Sequence, residues 1–208
     1  MNKATRLTAS LSGVYAGLLG FIHGYFTFVQ GGTRPAGVLF NAIGPPCQPE
    51  TVYHACFPAM TLIPDLRISG ILAMVVGLAV IIWAAVFIVR RHGGLVLIGL
   101  SLLFLLIGGG FIPAFTGIIA GLAGTRIHGS LTWWRSRVPG NLLDSLAWLW
   151  PWTLLAYFLW LAAQLLMGNV ANRFMLSLGS WPLLLEFILL LSAVITAFSH
   201  DTKSSEPQ

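Results

Sequence analysis

The chain has 208 residues, of which 57% are hydrophobic and only 8% charged, and its mean hydropathy is +0.85. Ordinary soluble domains carry about 25% charged residues, and a soluble fold of this length still exposes about a third of its unfolded surface. The composition therefore excludes a soluble globular domain and predicts an all-α fold, a polytopic transmembrane helical bundle in which the bilayer takes up the apolar surface.

The net charge of +5 reflects six acids against eleven Lys and Arg. These stand singly or in pairs such as Arg90-Arg91. Nucleic-acid binding needs a clustered basic face and is excluded; short basic loops that orient spans explain the charge.

Leu7 to Gln30 follows Lys3 and Arg6 and is apolar throughout. A signal peptide with a site at Val14-Tyr15-Ala16 is the alternative. The apolar run continues through Phe21 to Val29, past that site, so the segment reads as an uncleaved first span of the ~20 residues that a bilayer requires. Gly31 to Arg67 holds Pro35, Pro45, Pro46, Pro49, Pro58 and Pro64 and reads as an irregular outer loop. The second span, Ile68 to Val89, ends at Arg90-Arg91-His92-Gly93-Gly94.

Leu95 to Ala123 is too long for one straight span and too short for two complete ones. Gly108-Gly109-Gly110 and Pro113 break it, which predicts either a kinked span or a short helical hairpin. A polar segment, Thr125 to Asn141, follows, then spans at Trp150 to Met167 and Trp181 to Phe198. Within the approach to the fourth span, Leu142, Leu143, Leu146, Leu149 and Trp150 recur at helical spacing opposite Asn141, Asp144 and Ser145. That pattern suits an interfacial amphipathic helix that turns into the membrane at Pro151, with a frayed start of the fourth span as the alternative. Trp133-Trp134 beside Arg135 and Arg137 reads as an interfacial belt. Residues 1–199 are expected to form one transmembrane domain and 200–208 a polar tail.

The distribution of basic residues decides between hairpin and kinked span, because cytoplasmic loops are enriched in Lys and Arg. A single crossing puts Lys3, Arg6, Arg90, Arg91 and Arg173 inside and the other six outside. A hairpin puts Lys3, Arg6, Arg90, Arg91, Arg126, Arg135, Arg137 and Lys203 inside and leaves only Arg34, Arg67 and Arg173 outside. The hairpin is favoured, with both termini cytoplasmic in a bacterial inner membrane or plasma membrane.

Small residues line the spans at helical steps: Ser12, Ala16 and Gly20 lead to His23, Thr27 and Gln30, while Gly70, Ala73, Gly77 and Ala84 mark the second span and Ala114, Gly117, Gly121 and Gly124 the second half of the broken stretch. Such residues let helix backbones approach closely in lipid. His23 is the one histidine well inside a predicted span, and Glu186 lies five residues into the last. Intramembrane ionisable groups are functional candidates by default, so His23, Glu186, Thr27 and Gln30 form the candidate polar site. For His23 the bland reading is an interhelical hydrogen bond, and for Glu186 a stabilising position near a helix N-terminus. A hairpin places both in the outer half of the bilayer and permits a contact between them.

Cys47 and Cys56 are the only cysteines, both in the outer loop, where an oxidising compartment favours a bridge worth roughly 2–3 kcal/mol on the chain-entropy model. Eight intervening residues is not the C-x-x-C spacing of redox thiols. Haem ligation by paired histidines lacks a second intramembrane histidine, and no H-E-x-x-H, G-x-S-x-G, P-loop or Rossmann fingerprint occurs. Six dispersed acids do not readily converge on a metal, so no metal, cofactor or catalytic set is expected.

The runs Asn41-Ala42-Ile43-Gly44-Pro45-Pro46, Pro58-Ala59-Met60-Thr61-Leu62-Ile63-Pro64 and Gly108-Gly109-Gly110-Phe111-Ile112-Pro113 resemble segments of hypothetical polytopic bacterial membrane proteins. The resemblance runs from the first span to about Trp134. It implies a multi-span bacterial protein and nothing about activity. Beyond the lipid bilayer, the expected partner is a small ligand or another membrane protein, and the expected function is that of a non-enzymatic transporter-like or accessory bundle. A membrane redox or hydrolytic enzyme using His23, Glu186 or the cysteine pair is the alternative.

Overall fold

Helix α1 (Lys3–Val29) is the element against which the second, fourth and last helices pack. In the computed structural model, which describes residues 1–41, 53 and 58–205, it is followed by two short strands, β1 (Leu39–Asn41) and β2 (Pro58–Met60), and by α2 (Leu66–Ile82), whose last turn widens into a π-helical turn at Trp83–Phe87. The remaining helices are α3 (Gly93–Ile107), α4 (Phe111–Gly124), α5 (Thr132–Arg135), α6 (Gly140–Val170), α7 (Asn172–Ser177) and α8 (Trp181–Ser204). Four helical stretches among the described residues are long and apolar enough to cross a membrane: α1, Leu66–Phe87, α6 and α8. Their outward faces carry exposed Leu18, Val75, Leu78, Ile82, Leu159 and Leu165, an apolar exterior that water-soluble monomers avoid.

The small-residue seam of α1 is where α2 docks. A Cβ placed on Gly24 would lie 2.7 Å from the Met74 amide nitrogen, and one on Gly70 would lie 2.4 Å from that of Phe28. Gly17 likewise faces the Gly77 carbonyl. The two backbones run antiparallel in direct contact, the arrangement that glycine permits between helices lacking a hydrophobic drive to associate.

The broken stretch turns back on itself. Gly108 and Gly110 adopt φ of +89° and +88°, a region costly for residues with a Cβ, and they reverse the chain within three residues. Gly94 at the start of α3 then meets Gly121 and Thr125 at the end of α4, and Ser101 meets Gly117, so α3 and α4 form an antiparallel helical hairpin rather than one kinked helix. At 1.5 Å per residue these helices of 15 and 14 residues reach only about 22 Å, short of a ~30 Å hydrocarbon core.

The hairpin tip is covered by the segment between α1 and α2. β1 and β2 pair antiparallel, Phe40 opposite Ala59. The chain after β2 then gives the Leu62 amide to the Leu106 carbonyl at 2.9 Å, while the Ser69 hydroxyl donates to the Ile107 carbonyl at 2.6 Å. Helix ends leave carbonyls without intrahelical partners, and these two bonds supply them.

The amphipathic segment before Pro151 is not a separate interfacial helix. It forms the first turns of α6, which runs unbroken through Pro151 for 31 residues. Part of its apolar face packs within the bundle: Leu143 and Ala147 are buried, and Trp150 donates from Nε1 to the Thr8 hydroxyl at 3.0 Å. Leu142 and Trp148 stay exposed. The last helix also exceeds the span read from the sequence, continuing to Ser204, so part of the expected polar tail is helical.

Asp201 in that extension is buried and accepts hydrogen bonds from the amides of Ala4 at 3.0 Å and Thr5 at 2.7 Å, capping α1 from across the bundle. The Asn2 side chain donates to the Arg126 carbonyl at 2.7 Å. One end of the molecule thus gathers both described termini, the end of α4 and the start of α6. The α1–α2 connection, the hairpin tip and α7 occupy the other.

Substituting Gly94 by Ala should lower stability in detergent by about 2 kcal/mol or more through overpacking, because the new Cβ would lie 2.3 Å from the Thr125 nitrogen. Gly99, in the same helix with no neighbour within 4 Å, is the control. Its change to Ala should be neutral or stabilising by up to about 1 kcal/mol; equal losses at both positions in thermal unfolding would contradict the hairpin contact.

Candidate buried carboxylate site

The α1 members of the sequence-derived polar set serve the packing of α1. His23 is 6% exposed, its ring bonded to the Leu19 carbonyl one turn back. The ring lies against the hairpin tip, where a Cβ on Gly110 would sit 2.5 Å from its Cδ2. Thr27 donates its hydroxyl to the His23 carbonyl at 2.8 Å, the usual way for a buried helical Thr to satisfy itself. Gln30 donates from Nε2 to the Asn41 carbonyl at 2.9 Å and ties α1 to β1.

Glu186 belongs to a different cluster. Pro182 in the first turn sets the start of α8, and the helix then turns Glu186 inward to 3% exposure. Oε2 accepts from Gln164 Nε2 of α6 at 3.1 Å. Gln164 in turn accepts through Oε1 from the Tyr53 hydroxyl at 3.0 Å, and the Tyr53 amide donates to Asn172 Oδ1 at 2.6 Å. A chain of hydrogen bonds therefore runs from the α1–α2 connection to a carboxylate between two long helices. No hydrogen bond or ion pair joins Glu186 to His23, and the bond to α6 replaces the role of a cap on its own helix.

Two atoms of this cluster lack a hydrogen-bond partner among the described residues: Glu186 Oε1 and the Tyr157 hydroxyl, both buried. Tyr157 sits two turns before Gln164 on the same face of α6 and meets the Tyr15 ring of α1 edge-on, with centroids 6.2 Å apart. Tyr15, Tyr53 and Tyr157 all lie within electrostatic reach of the carboxylate. The ion pair that the described residues make, Lys203 with Asp144 at 2.7 Å, lies at the opposite end and is exposed, where such pairs contribute little. No group of three or more His, Cys, Asp or Glu among the described residues could hold a metal ion.

Gln164, Tyr53, Tyr15 and Tyr157 were not among the residues singled out from the sequence. For α6 a signal existed: Leu154, Tyr157, Leu161 and Gln164 recur at steps of three and four, and all are buried. For Tyr53 none did, because its place depends on how a proline-rich connection folds back. Cys47 and Cys56 lie outside the described residues. The bridge expected between them therefore falls outside what the structure describes. Compared with family models, curated proteins and solved structures, the chain matches none, and the bacterial resemblance assigns it to no family.

Tyr53 lies outside the spanning helices, and burial, followed by the nearby Glu186 charge, pushes its phenol from 10.0 up to about 12. The folded state thus holds this proton more tightly than the unfolded chain. Its contribution is complete below pH 10 and is lost as pH rises through about 12. The alkaline difference absorbance between the wild-type protein and Tyr53→Phe should resolve one phenol with a midpoint near 12; a midpoint near 10 would contradict the burial of Tyr53 beside Glu186.

Proposed function

We propose that the chain is a multi-pass integral protein of a bacterial cell membrane, with both termini in the cytoplasm, and that it acts as a non-enzymatic, transporter-like binding protein for a small ligand at Glu186. The observation that carries this reading is a carboxylate in a spanning helix with one oxygen bonded to Gln164 at 3.1 Å and the other without a partner. A charge at membrane depth is costly, and where it is retained it commonly marks a ligand or ion path. A carboxylate kept only for structure would use both oxygens, as Asp201 does with the Ala4 and Thr5 amides.

The orientation rests on charge. Lys3, Arg6, Arg90, Arg91, Arg126, Arg135, Arg137 and Lys203 lie towards the end that holds the termini, and Arg34, Arg67 and Arg173 towards the other. Such an imbalance supports a cytoplasmic basic end, with the Glu186 cluster in the outer half. With Cys47 and Cys56 replaced by Ser, single cysteines at the exposed positions Thr33 and Ser130 test this. A membrane-impermeant maleimide should label the Thr33→Cys protein in intact cells and the Ser130→Cys protein only after permeabilisation, and the reverse pattern would overturn the orientation.

A hydrophobic carbodiimide tests the site itself. The purified protein should be modified at Glu186 in preference to Asp201, whose oxygens are occupied, with the adduct located by peptide mass spectrometry and absent from Glu186→Gln. Modification at Asp201 with Glu186 untouched would show that no small molecule reaches the unpaired oxygen, and the ligand reading would fall.

A further inference from the structure

We propose that the ligand of the Glu186 site is a hydrophobic organic cation, an amine or quaternary onium ion, held by the free carboxylate oxygen and the tyrosine rings beside it. The proposal rests on the reading of Glu186 as a ligand site and adds the chemistry of what binds.

Charge comes first. Glu186 is 3% exposed and makes no ion pair with Lys, Arg or His among the described residues. Gln164 is its one hydrogen-bond donor among the described residues. A buried charge left without a counter-charge is strongly unfavourable. A proton relieves this in the empty site; of the ligands that could replace it, an anionic one would worsen the imbalance and a neutral one would leave it in place, whereas a cation removes it.

The surroundings then choose between a metal ion and an organic cation. Hard metal ions such as Ca²⁺ take six to eight oxygen ligands. Here the unengaged oxygens are Glu186 Oε1 and the Tyr157 hydroxyl, because Gln164 Oε1 is taken by Tyr53. The local backbone adds none, since α6 and α8 are continuous helices at this level and their carbonyls are used within them. Aromatic surface is what the site has in quantity. Tyr15 packs edge-on against Tyr157 with centroids 6.2 Å apart, and Phe158 and Phe187 join the same buried cluster. One carboxylate with Tyr15, Tyr53 and Tyr157 within electrostatic reach matches a diffuse organic cation, which gains both the ion pair and the attraction of ring faces.

An apolar groove also lies on the outer face of the bundle near the site. Four residues before Gln164 stands Trp160, and four before Glu186 stands Pro182; both line this groove of about 320 Å³ that Trp181, Leu185 and Ile188 extend. The groove lies one helical turn from the hydrogen-bonded pair and opens on the exposed face of α6 and α8. A cation partitioned into the membrane would meet aromatic surface there before reaching the carboxylate.

Tetraphenylphosphonium and tetraphenylborate, of near-identical shape and opposite charge, provide the test. Tetraphenylphosphonium should slow carbodiimide modification of Glu186 in the purified protein at least ~10-fold at saturation, and tetraphenylborate should not. Equilibrium dialysis should show the phosphonium binding to the wild-type protein and at least ~10-fold weaker binding to Glu186→Gln, the equivalent of about 1.4 kcal/mol. Tyr15→Leu should weaken binding severalfold and Tyr15→Phe should not, a comparison that stands even if the Glu186 variant fails to fold. Equal protection by both ions would mean partitioning by shape alone and would overturn the proposal, as would modification that neither ion slows; in both cases Glu186 remains an accessible carboxylate. Absence of any modification at Glu186 would instead remove the site on which the proposal rests.

Discussion

A peptide chain that breaks its helix within a bilayer must find partners for the exposed amides and carbonyls, because lipid offers none. Gly108 to Gly110 make such a break between two helices too short to cross on their own, and the neighbouring architecture follows from covering it. The connection between α1 and α2 folds inward, so that Leu62 and Ser69 bond the last carbonyls of α3. The two-stranded pair of Leu39–Asn41 and Pro58–Met60 holds that connection down, and Gln30 fastens it to α1. His23 fills the remaining space beneath Gly110. A histidine that reads from sequence as a functional candidate is thus accounted for by the backbone geometry of a segment almost ninety residues away in the chain.

What the sequence carried and what it concealed divide along physical lines. Apolar length and glycine spacing are local properties, so the long helices, the small-residue faces and the break at Gly108–Gly110 could be read from residue order, whereas which faces meet could not, and the hairpin was favoured only by the distribution of Lys and Arg. The ends of helices were less legible. Hydropathy stops at Trp150 and Phe198, but α6 begins at Gly140 and α8 ends at Ser204, because their polar turns are stabilised by partners elsewhere, Asp201 by the α1 amides and Trp150 by Thr8. The candidate site was half legible. Glu186 stands out as a charge in an apolar run, whereas its pairing with Gln164 rather than His23 depends on which helix lies opposite, and only packing decides that.

The packing also bears on why the proposed ligand site falls on α6 and α8 and not on the seam with more small polar residues. Along α1 and α2 the backbones are so close that a single added methyl group at Gly24 or Gly70 would fall under 3 Å from main-chain atoms of the other helix. Hydroxyls buried in that half of the bundle, Thr27 and Ser101, turn back to their own helices. Close approach gives adhesion and leaves no volume for a guest. Between α6 and α8 the buried cluster is instead built of larger side chains, Tyr157, Leu161 and Leu190. A carboxylate placed on the first seam would have to be satisfied permanently by the protein. Placed on the second, its free oxygen can be satisfied by a molecule that arrives and leaves.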